Sequence, residues 1–155
     1  MPDTADTRIT HRNLPLLLLH ARESVIAHFR PILNAHGVTE QQWRIVRALR
    51  EQGALEPRQI GEHCRISSPS LAGVLSRMDD LGLVRRERLE HDQRRVRVSL
   101  TEQSEQLIEQ IAPQIEAVYQ QLEARLGRDF FEQVYTLLDE LIEVMGPAGA
   151  AEPDA

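Results

Sequence analysis

Apolar residues recur at intervals of three and four over most of the chain, between a polar start and a tail rich in Ala, Gly and Pro. This spacing puts apolar side chains on one face of a helix and predicts amphipathic helices. Because proline cannot donate a backbone hydrogen bond, we expect Pro31 to bend the first helix and Pro113 to kink or briefly break the fifth. Six helices are predicted, over residues 13–36, 39–51, 57–64, 68–81, 101–126 and 129–145.

Two short runs between the fourth and fifth predicted helices have a different period. Residues 83–89 and 95–100 have the pattern of strands, and in the second run Val96, Val98 and Leu100 alternate with polar residues. The intervening residues predict a polar tip. Because a lone two-stranded hairpin is barely stable in water, this hairpin must pack on the helices beside it.

Helix, turn, second helix and hairpin in this order form a winged helix-turn-helix. The predicted fold class is mainly α, with six helices and one β-hairpin wing. We assign residues 37–100 to a DNA-binding lobe, and residues 13–36 and 101–145 to a helical dimerisation region, because their helices have more apolar face than one small core needs. Residues 1–12 are predicted to form a flexible arm and residues 146–155 a disordered tail.

The composition favours a helical core and indicates the cellular compartment of the protein. Hydrophobic residues make up 41% of the 155 residues and aromatic residues 4%, so the core must consist mainly of Leu, Ile and Val. The single cysteine, Cys64, excludes an internal disulfide, and we interpret it as an inert buried thiol rather than a peroxide sensor. The apolar run 14–19 is too short to span a bilayer and lacks a small-residue cleavage site. We therefore predict a cytoplasmic protein with no membrane partner.

The formal net charge of −6 is unevenly distributed along the chain. Residues 101–155 contain twelve acids and two arginines, whereas residues 58–97 contain nine arginines and six acids. All eighteen cationic residues are arginine, whose planar guanidinium suits phosphates and base edges. The overall acidity therefore does not exclude a nucleic-acid partner for the basic segment.

The basic segment contains the candidate DNA-binding residues. The apolar positions of the fourth predicted helix define its inward face: Leu71, Val74, Leu75 and Met78. Small and hydrogen-bonding residues, which allow a helix to enter the major groove, face outward: Ser67, Ser68, Ser70, Ala72, Gly73, Ser76 and Arg77. The hairpin adds cations for DNA phosphates: Arg85, Arg86, Arg88, Arg94, Arg95 and Arg97. Asp92 is placed to hold the Arg94 guanidinium for insertion into a minor groove. The alternatives are an ordinary surface helix and a solvated run of charge.

Three linked segments resemble the signature of the MarR family of regulators. They are LGLVRR at residues 81–86, DQR at residues 92–94 and SLT at residues 99–101. Ser104 departs from the family pattern, which usually has Gly there, and is expected to alter the first turn of the following helix. The resemblance implies a triangular homodimer whose two recognition helices lie about one DNA turn apart on a pseudo-palindromic operator.

Further segments are similar to particular regulators within that family. HARE at residues 20–23, FRPI at residues 29–32 and TEQQWRIVR at residues 39–47 resemble the regulators of homoprotocatechuate (hydroxyphenylacetate) breakdown and of nicotinate breakdown. The shared implication is a hydroxylated aromatic or heteroaromatic acid as effector, such as 6-hydroxynicotinate or a hydroxyphenylacetate. The sequence does not choose between these ligands.

A pocket for such an acid needs an apolar wall and cations for the carboxylate. Arg22 and Arg44 are the candidate cations, and Trp43 offers a flat surface to the ring. The alternative for each arginine is a structural ion pair with Glu23 or Glu40. Further polar contacts are assigned to His20 and His28, for which the alternative is an ordinary surface histidine.

The sequence predicts a ligand-responsive transcriptional repressor and no enzyme. It contains no phosphate-binding loop, nucleophile elbow or metalloprotease motif, and no cofactor is expected. His20, His28 and His36 recur every eight residues, but eight residues advance a helix by about 12 Å, so one metal ion cannot bridge them. The competing hypothesis is a winged-helix adaptor that binds a protein partner and has no specific affinity for DNA.

Overall fold

The computed structural model describes residues 6–146 and is mainly helical with one antiparallel hairpin, which confirms the predicted fold class. The helices are α1 (Leu14–Ile26), α2 (Arg30–Ala35), α3 (Glu40–Gln52), α4 (Pro57–Cys64), α5 (Ser68–Asp80), α6 (Glu102–Leu126) and α7 (Arg128–Met145). The hairpin consists of β1 (Val84–Leu89) and β2 (Asp92–Leu100).

The region predicted as one bent helix is two helices, so the described chain has seven helices rather than six. Proline cannot donate a hydrogen bond to the carbonyl four residues before it, and its ring collides with that carbonyl. The chain responds before Pro31 with two tight bonds, from the His28 amide to the Val25 carbonyl and from the Phe29 amide to the Ile26 carbonyl. Pro31 then lies in the first turn of α2, where its missing donor is tolerated.

The fifth predicted helix is α6, and it continues through Pro113 without the break that was one of the two expected outcomes. Its first turn is held by reciprocal bonds between two hydroxyl residues. The Ser104 amide donates to Thr101 Oγ1 at 3.2 Å, and the Thr101 amide donates to Ser104 Oγ at 2.9 Å. Ser104 is fully buried. Its hydroxyl, which the glycine usual in the family lacks, caps the start of α6.

The chain divides into two compact units, Met1–Leu107 and Ile108–Ala155. In the first unit, α3, α4 and α5 pack with the hairpin around a common core, whose members are Ile45, Val46, Leu49, Ile60, Leu71, Leu75, Met78, Val84 and Val98. A capping box fixes the start of α3: the Thr39 amide donates to the Gln42 side chain and the Gln42 amide donates to the Thr39 side chain, each at 3.1 Å.

The hairpin leans on the helical part of the lobe, as expected. Leu55, just before α4, forms two backbone hydrogen bonds with Val98 of β2, at 3.0 and 2.7 Å. The turn is shorter than predicted and consists of Glu90 and His91, because β2 already begins at Asp92 rather than at Arg95.

Two helices leave their apolar residues largely unburied. Neither α1 nor α7 contains a buried residue. The exposed large apolar residues of α1 are Leu14, Leu16, Leu17, Leu18, Leu19 and Val25. Those of α7 are Phe130, Val134, Tyr135, Leu137, Leu138, Ile142, Val144 and Met145. Apolar surface of this extent is typical of a region that is covered by another protein chain.

Candidate nucleic-acid interface and effector site

Helix α5 presents the face that the sequence predicted. Its N-terminus is set by Ser67, which has extended backbone angles, and by Pro69 in the first turn. Leu71, Leu75 and Met78 are buried, and Val74 is half-buried. The residues predicted to face outward are all exposed: Ser67, Ser68, Ser70, Ala72, Gly73, Ser76 and Arg77.

Gly73 stands in the middle of this exposed face without a structural reason in the chain itself. A Cβ at Gly73 would meet no atom within 4 Å. Glycine inside a helix costs about 0.5–1 kcal/mol relative to alanine, because it loses more backbone freedom on folding. The exposed glycine therefore leaves room for another molecule to approach the α5 backbone closely.

The cationic residues of the hairpin differ in their partners. Arg86 binds Asp79 of α5 with Nε at 3.0 Å, which joins the hairpin to the end of that helix. Arg88 donates to the Gln93 carbonyl at 3.1 Å. Arg95 binds Glu56 through two parallel contacts of 2.8 Å each. The Arg94 guanidinium makes no hydrogen bond or ion pair within residues 6–146 and is available to a ligand.

The prediction for Asp92 was wrong in its detail. Its carboxylate accepts a hydrogen bond from the backbone amide of Arg94 at 3.0 Å, and not from the guanidinium. Asp and Asn side chains commonly bond the amide two residues later and so stabilise a turn. Asp92 therefore fixes the backbone from which the Arg94 side chain extends.

The candidate effector residues Arg22 and Arg44 lie on different helices and share one carboxylate. Arg44 binds Glu40 with Nε at 3.1 Å and with Nη2 at 2.6 Å, while its Nη1 donates to the Cys64 carbonyl at 2.6 Å. Arg22 binds Glu40 with Nη2 at 2.8 Å and Glu23 with Nη1 at 3.4 Å. The ion pairs named as the alternative for both arginines are thus present.

This cluster of charges changes the titration of Glu40. Burial raises the pKa of the Glu40 carboxyl. The hydrogen bond and charge of Arg44, together with the charges of Arg22 and Arg30, lower it by more than burial raises it, so the pKa of Glu40 lies below its usual value. The carboxylate is therefore ionised at neutral pH.

The other candidate effector residues make no hydrogen bond to Glu40 or to its arginine partners among the described residues. Trp43 is half-buried on α3 beside Arg44. His20 on α1 and His28 in the turn before α2 are exposed, and neither imidazole makes a hydrogen bond or ion pair among the described residues. Their role in binding an effector remains a prediction.

Cys64 is buried at 3% exposure, and its thiol lies 3.6 Å from the Arg44 carbonyl oxygen. Burial raises the pKa of the thiol, against a smaller opposing effect of the Arg44 charge. The reactive form of cysteine is the thiolate, so these surroundings favour an unreactive group.

Sequence reasoning did not identify the acids that hold the hairpin, Glu56 and Asp79. Glu56 is 39 residues from its partner Arg95, and no periodic spacing connects the two. The only signal in the sequence is an acid immediately before Pro57, the first residue of a predicted helix.

No helix within residues 6–146 is long and apolar enough to cross a membrane.

Comparison with known proteins identifies the family to which the winged lobe belongs. A family model described as MarR family matches residues 36–95. The homoprotocatechuate degradative operon repressor of Escherichia coli is 41% identical over 132 residues, which cover 85% of this chain and 89% of that protein.

Two solved structures are similar over most of their length. The transcriptional regulator PA4135 has a TM-score of 0.83 and 43% identity, covering 86% of this chain and 98% of that one. NadR in complex with 4-hydroxyphenylacetate has a TM-score of 0.75 and 40% identity, covering 87% of this chain and 96% of that one. With a winged lobe and relatives that match along nearly their whole length, this chain belongs to the MarR family of transcriptional regulators.

Proposed function

We propose that this repressor binds a pseudo-palindromic DNA operator as a homodimer and is released by a hydroxylated aromatic or heteroaromatic acid. The observation that carries the proposal is the joint arrangement of α5 and the hairpin. The small exposed face of α5 fits a major groove, and the unpartnered Arg94 guanidinium extends from the hairpin that Arg86 and Asp79 attach to α5.

The DNA contacts are assigned by chemistry. Ser67, Ser68, Ser70, Gly73, Ser76 and Arg77 would face base edges and adjacent phosphates, whereas Arg86, Arg88, Arg94 and Arg95 would face the backbone and a minor groove, with Asp92 positioning Arg94. Phosphate contacts position a protein on DNA, and base contacts give sequence specificity. Arg86 and Arg95 are ion-paired in the free chain, so their contribution to DNA binding includes the loss or sharing of those pairs.

The exposed apolar residues of α1 and of α7 support a homodimer. A second copy supplies the same apolar surface by two-fold symmetry, which places two recognition helices on successive turns of one DNA face. The helical dimerisation region and the lobe are retained as the domain proposal, and residues 1–5 and 147–155 of the predicted arm and tail lie outside the described residues. A cytoplasmic location follows from this function, since the operator is there.

The effector would bind near Arg22, Arg44 and Trp43. A guanidinium carries five N–H groups, and the contacts of Arg22 with Glu40 and Glu23 leave further donors for a ligand carboxylate. Trp43 would contact the aromatic ring, with His20 and His28 as polar contacts. Support comes from the NadR relative, which was solved with 4-hydroxyphenylacetate, and from the repressor of homoprotocatechuate degradation.

Release of DNA follows from thermodynamic linkage. An acid that prefers a spacing of the two lobes that mismatches the operator weakens DNA binding by the same factor by which DNA weakens acid binding. Hydroxyphenylacetates and 6-hydroxynicotinate are the first compounds to test, because the two classes differ in the ring and in the distance from ring to carboxylate.

The test is binding of the purified protein to duplex DNA from its own promoter region at increasing salt. A repressor with six or more phosphate contacts should lose affinity about a thousandfold or more between roughly 50 and 200 mM salt. Addition of the acids should then lower affinity at constant salt. A monomer in light scattering, or negligible duplex binding at low salt, would contradict the proposal and favour the adaptor hypothesis.

A further inference from the structure

The hairpin carries an irregularity directly beside Arg94. Leu89 pairs with Asp92, but the preceding residue, Arg88, pairs with Val96. One step along β1 therefore corresponds to four steps along β2, and residues 93–95 have no partner in the ladder. Such a bulge redirects side chains and has no regular hydrogen bonds to hold its shape.

Four side-chain contacts replace the missing ladder bonds. Three of them stay within the hairpin: Arg88 to the Gln93 carbonyl at 3.1 Å, Gln93 to the Leu89 carbonyl at 3.4 Å, and the Arg94 amide to Asp92 at 3.0 Å. The fourth, from Arg95 to Glu56, joins the bulge to the start of α4.

Glu56 is itself held in a fixed place. Pro57 follows it with a restricted backbone, and the Glu56 amide donates to Gln59 Oε1 at 2.9 Å. On its other side, Leu55 is fixed by two backbone bonds to Val98. The side chain of Glu56 is 28% exposed and extends from a rigid segment, and its two carboxylate oxygens bind Nε and Nη2 of Arg95 at 2.8 Å each.

We propose that Glu56 is a positioning residue for DNA binding, which sets the direction of the Arg94 side chain by anchoring the bulge through Arg95. This inference rests on the proposed function, in which Arg94 contacts DNA. Exposed ion pairs contribute little to stability, but a bidentate arginine–carboxylate pair fixes geometry. The role of the pair is therefore in the placement of the bulge.

Electrostatics alone predicts the opposite effect of Glu56. An acid beside a DNA-binding surface repels phosphates, and it also holds a cation that would otherwise be free. On that view, removal of the carboxylate should strengthen duplex binding and make it more dependent on salt. The positioning role predicts weaker binding, so the sign of one measurement separates the two.

The experiment compares full-length wild type and Glu56→Gln by fluorescence anisotropy with a labelled mixed-sequence duplex at fixed salt. Weaker binding by about tenfold is expected, the effect of one charge-assisted contact. The matched control is Glu62→Gln, which removes one exposed acid from α4, the helix that begins directly after Glu56; Glu62 pairs there with Arg58 at 3.2 Å. The control should bind as wild type or slightly more tightly. Equal or tighter binding by Glu56→Gln would overturn the proposal.

Arg94→Ala, alone and combined with Glu56→Gln, distinguishes failure of the positioning role of Glu56 from failure of the proposed DNA-binding function. Arg94→Ala should weaken binding about tenfold in the wild-type background and much less in the Glu56→Gln background, because a misplaced Arg94 has little contact left to lose. Equal losses in both backgrounds would overturn the positioning role while leaving the DNA-binding function intact. No loss for Arg94→Ala alone would overturn both.

A charge exchange provides a second, independent variant that keeps the net charge. Glu56→Arg and Arg95→Glu alone should each weaken binding, and their combination should bind more tightly than either alone by re-forming the pair, although any phosphate contact of Arg95 itself is lost. Failure of the combination to bind better than either single variant would contradict an anchoring pair.

Discussion

Glu40 binds Arg44 through both of its carboxylate oxygens, and the same carboxylate also accepts a hydrogen bond from Arg22. Arg44 in turn donates to the Cys64 carbonyl, at the end of α4. One partly buried acid thus connects α1, α3 and α4. Arg44 stabilises the connection only while Glu40 is ionised, so the stability of the lobe should depend on pH.

Glu40→Gln should lower the free energy of unfolding at neutral pH by about 1–2 kcal/mol, because charge-assisted hydrogen bonds are lost. The pKa of Glu40 is lowered in the folded chain, so its contribution is complete above the usual carboxyl pKa and is lost as pH falls through the folded-state pKa. The difference between wild type and variant should therefore shrink in acid. Urea unfolding followed by circular dichroism, at neutral and at acidic pH, measures this difference in the free energy of unfolding.

Glu51→Gln is the control for this comparison, because Glu51 pairs with Arg47 on the same helix and is half-exposed. Such surface pairs contribute little, so the control should change stability by less than about 0.5 kcal/mol. A difference for Glu40→Gln that is the same at neutral and acidic pH would contradict the linkage.

Arg22→Ala should spare DNA binding and weaken the response to acid. Arg22 is nearly half exposed at 46% and lies outside the lobe face that is assigned to DNA. Removal of one cation from a carboxylate site should weaken acid binding about tenfold. Calorimetry with 4-hydroxyphenylacetate and 6-hydroxynicotinate measures the affinity. Arg30→Ala is the control, since Arg30 binds Glu23 nearby at 2.9 Å. Unchanged acid affinity in Arg22→Ala and in Arg44→Ala would refute the assigned pocket.

The elements of the lobe could be predicted from the sequence because their signals are local. The α3 capping box needs two residues three positions apart, and the α5 core face needs only the helical period. The break between α1 and α2 is less visible, since apolar spacing continues across it. The sequence contains Pro31 but does not specify whether the chain bends or makes two tight turns before it.

The partners of the hairpin arginines could not be predicted for a different reason. Arg86 is seven residues from Asp79, and Arg95 is 39 residues from Glu56, across a helix end or a whole helix-turn-helix. Each pair exists only because tertiary packing brings the hairpin against the lobe. The sequence shows which side chains of the hairpin are cationic, and the fold determines that the Arg94 guanidinium has no hydrogen bond or ion pair among residues 6–146.

Arg94→Ala should lower affinity for every duplex and flatten the salt dependence by about one unit of slope, because a phosphate contact releases about one counterion. Arg128→Ala is a matched control, since Arg128 is 78% exposed on α7 and outside the lobe. The duplex affinity of the Arg128→Ala variant and the salt slope of that affinity should remain those of wild type. Anisotropy titrations at several salt concentrations give both quantities, and a loss confined to one DNA sequence would contradict this role for Arg94.

Gly73→Ala should stabilise the protein and weaken operator binding. The added methyl group meets no atom of the chain and removes the helical cost of glycine, so the free energy of unfolding should rise by about 0.5–1 kcal/mol. In the complex the same methyl group would occupy the space between α5 and the groove. Thermal unfolding and operator binding should therefore change in opposite directions. Ala72→Ser, which adds one atom at the neighbouring position of the same exposed face, is the comparison, and operator binding unaffected by Gly73→Ala would contradict a close approach of DNA at this position.

Ser104→Ala should destabilise the protein by about 1–2 kcal/mol, because the part-buried Thr101 amide loses the oxygen of the buried Ser104 hydroxyl that caps it. Ser104→Gly should cost about 0.5–1 kcal/mol more, since glycine also loses more backbone freedom in the helix. The order of the two variants tests the cap, because a position that requires small size alone would tolerate glycine best. Thermal unfolding at one protein concentration measures both, with exposed Gln121→Ala on α6 as the control. If Ser104→Gly matched wild type, the hydroxyl would have no part in starting α6.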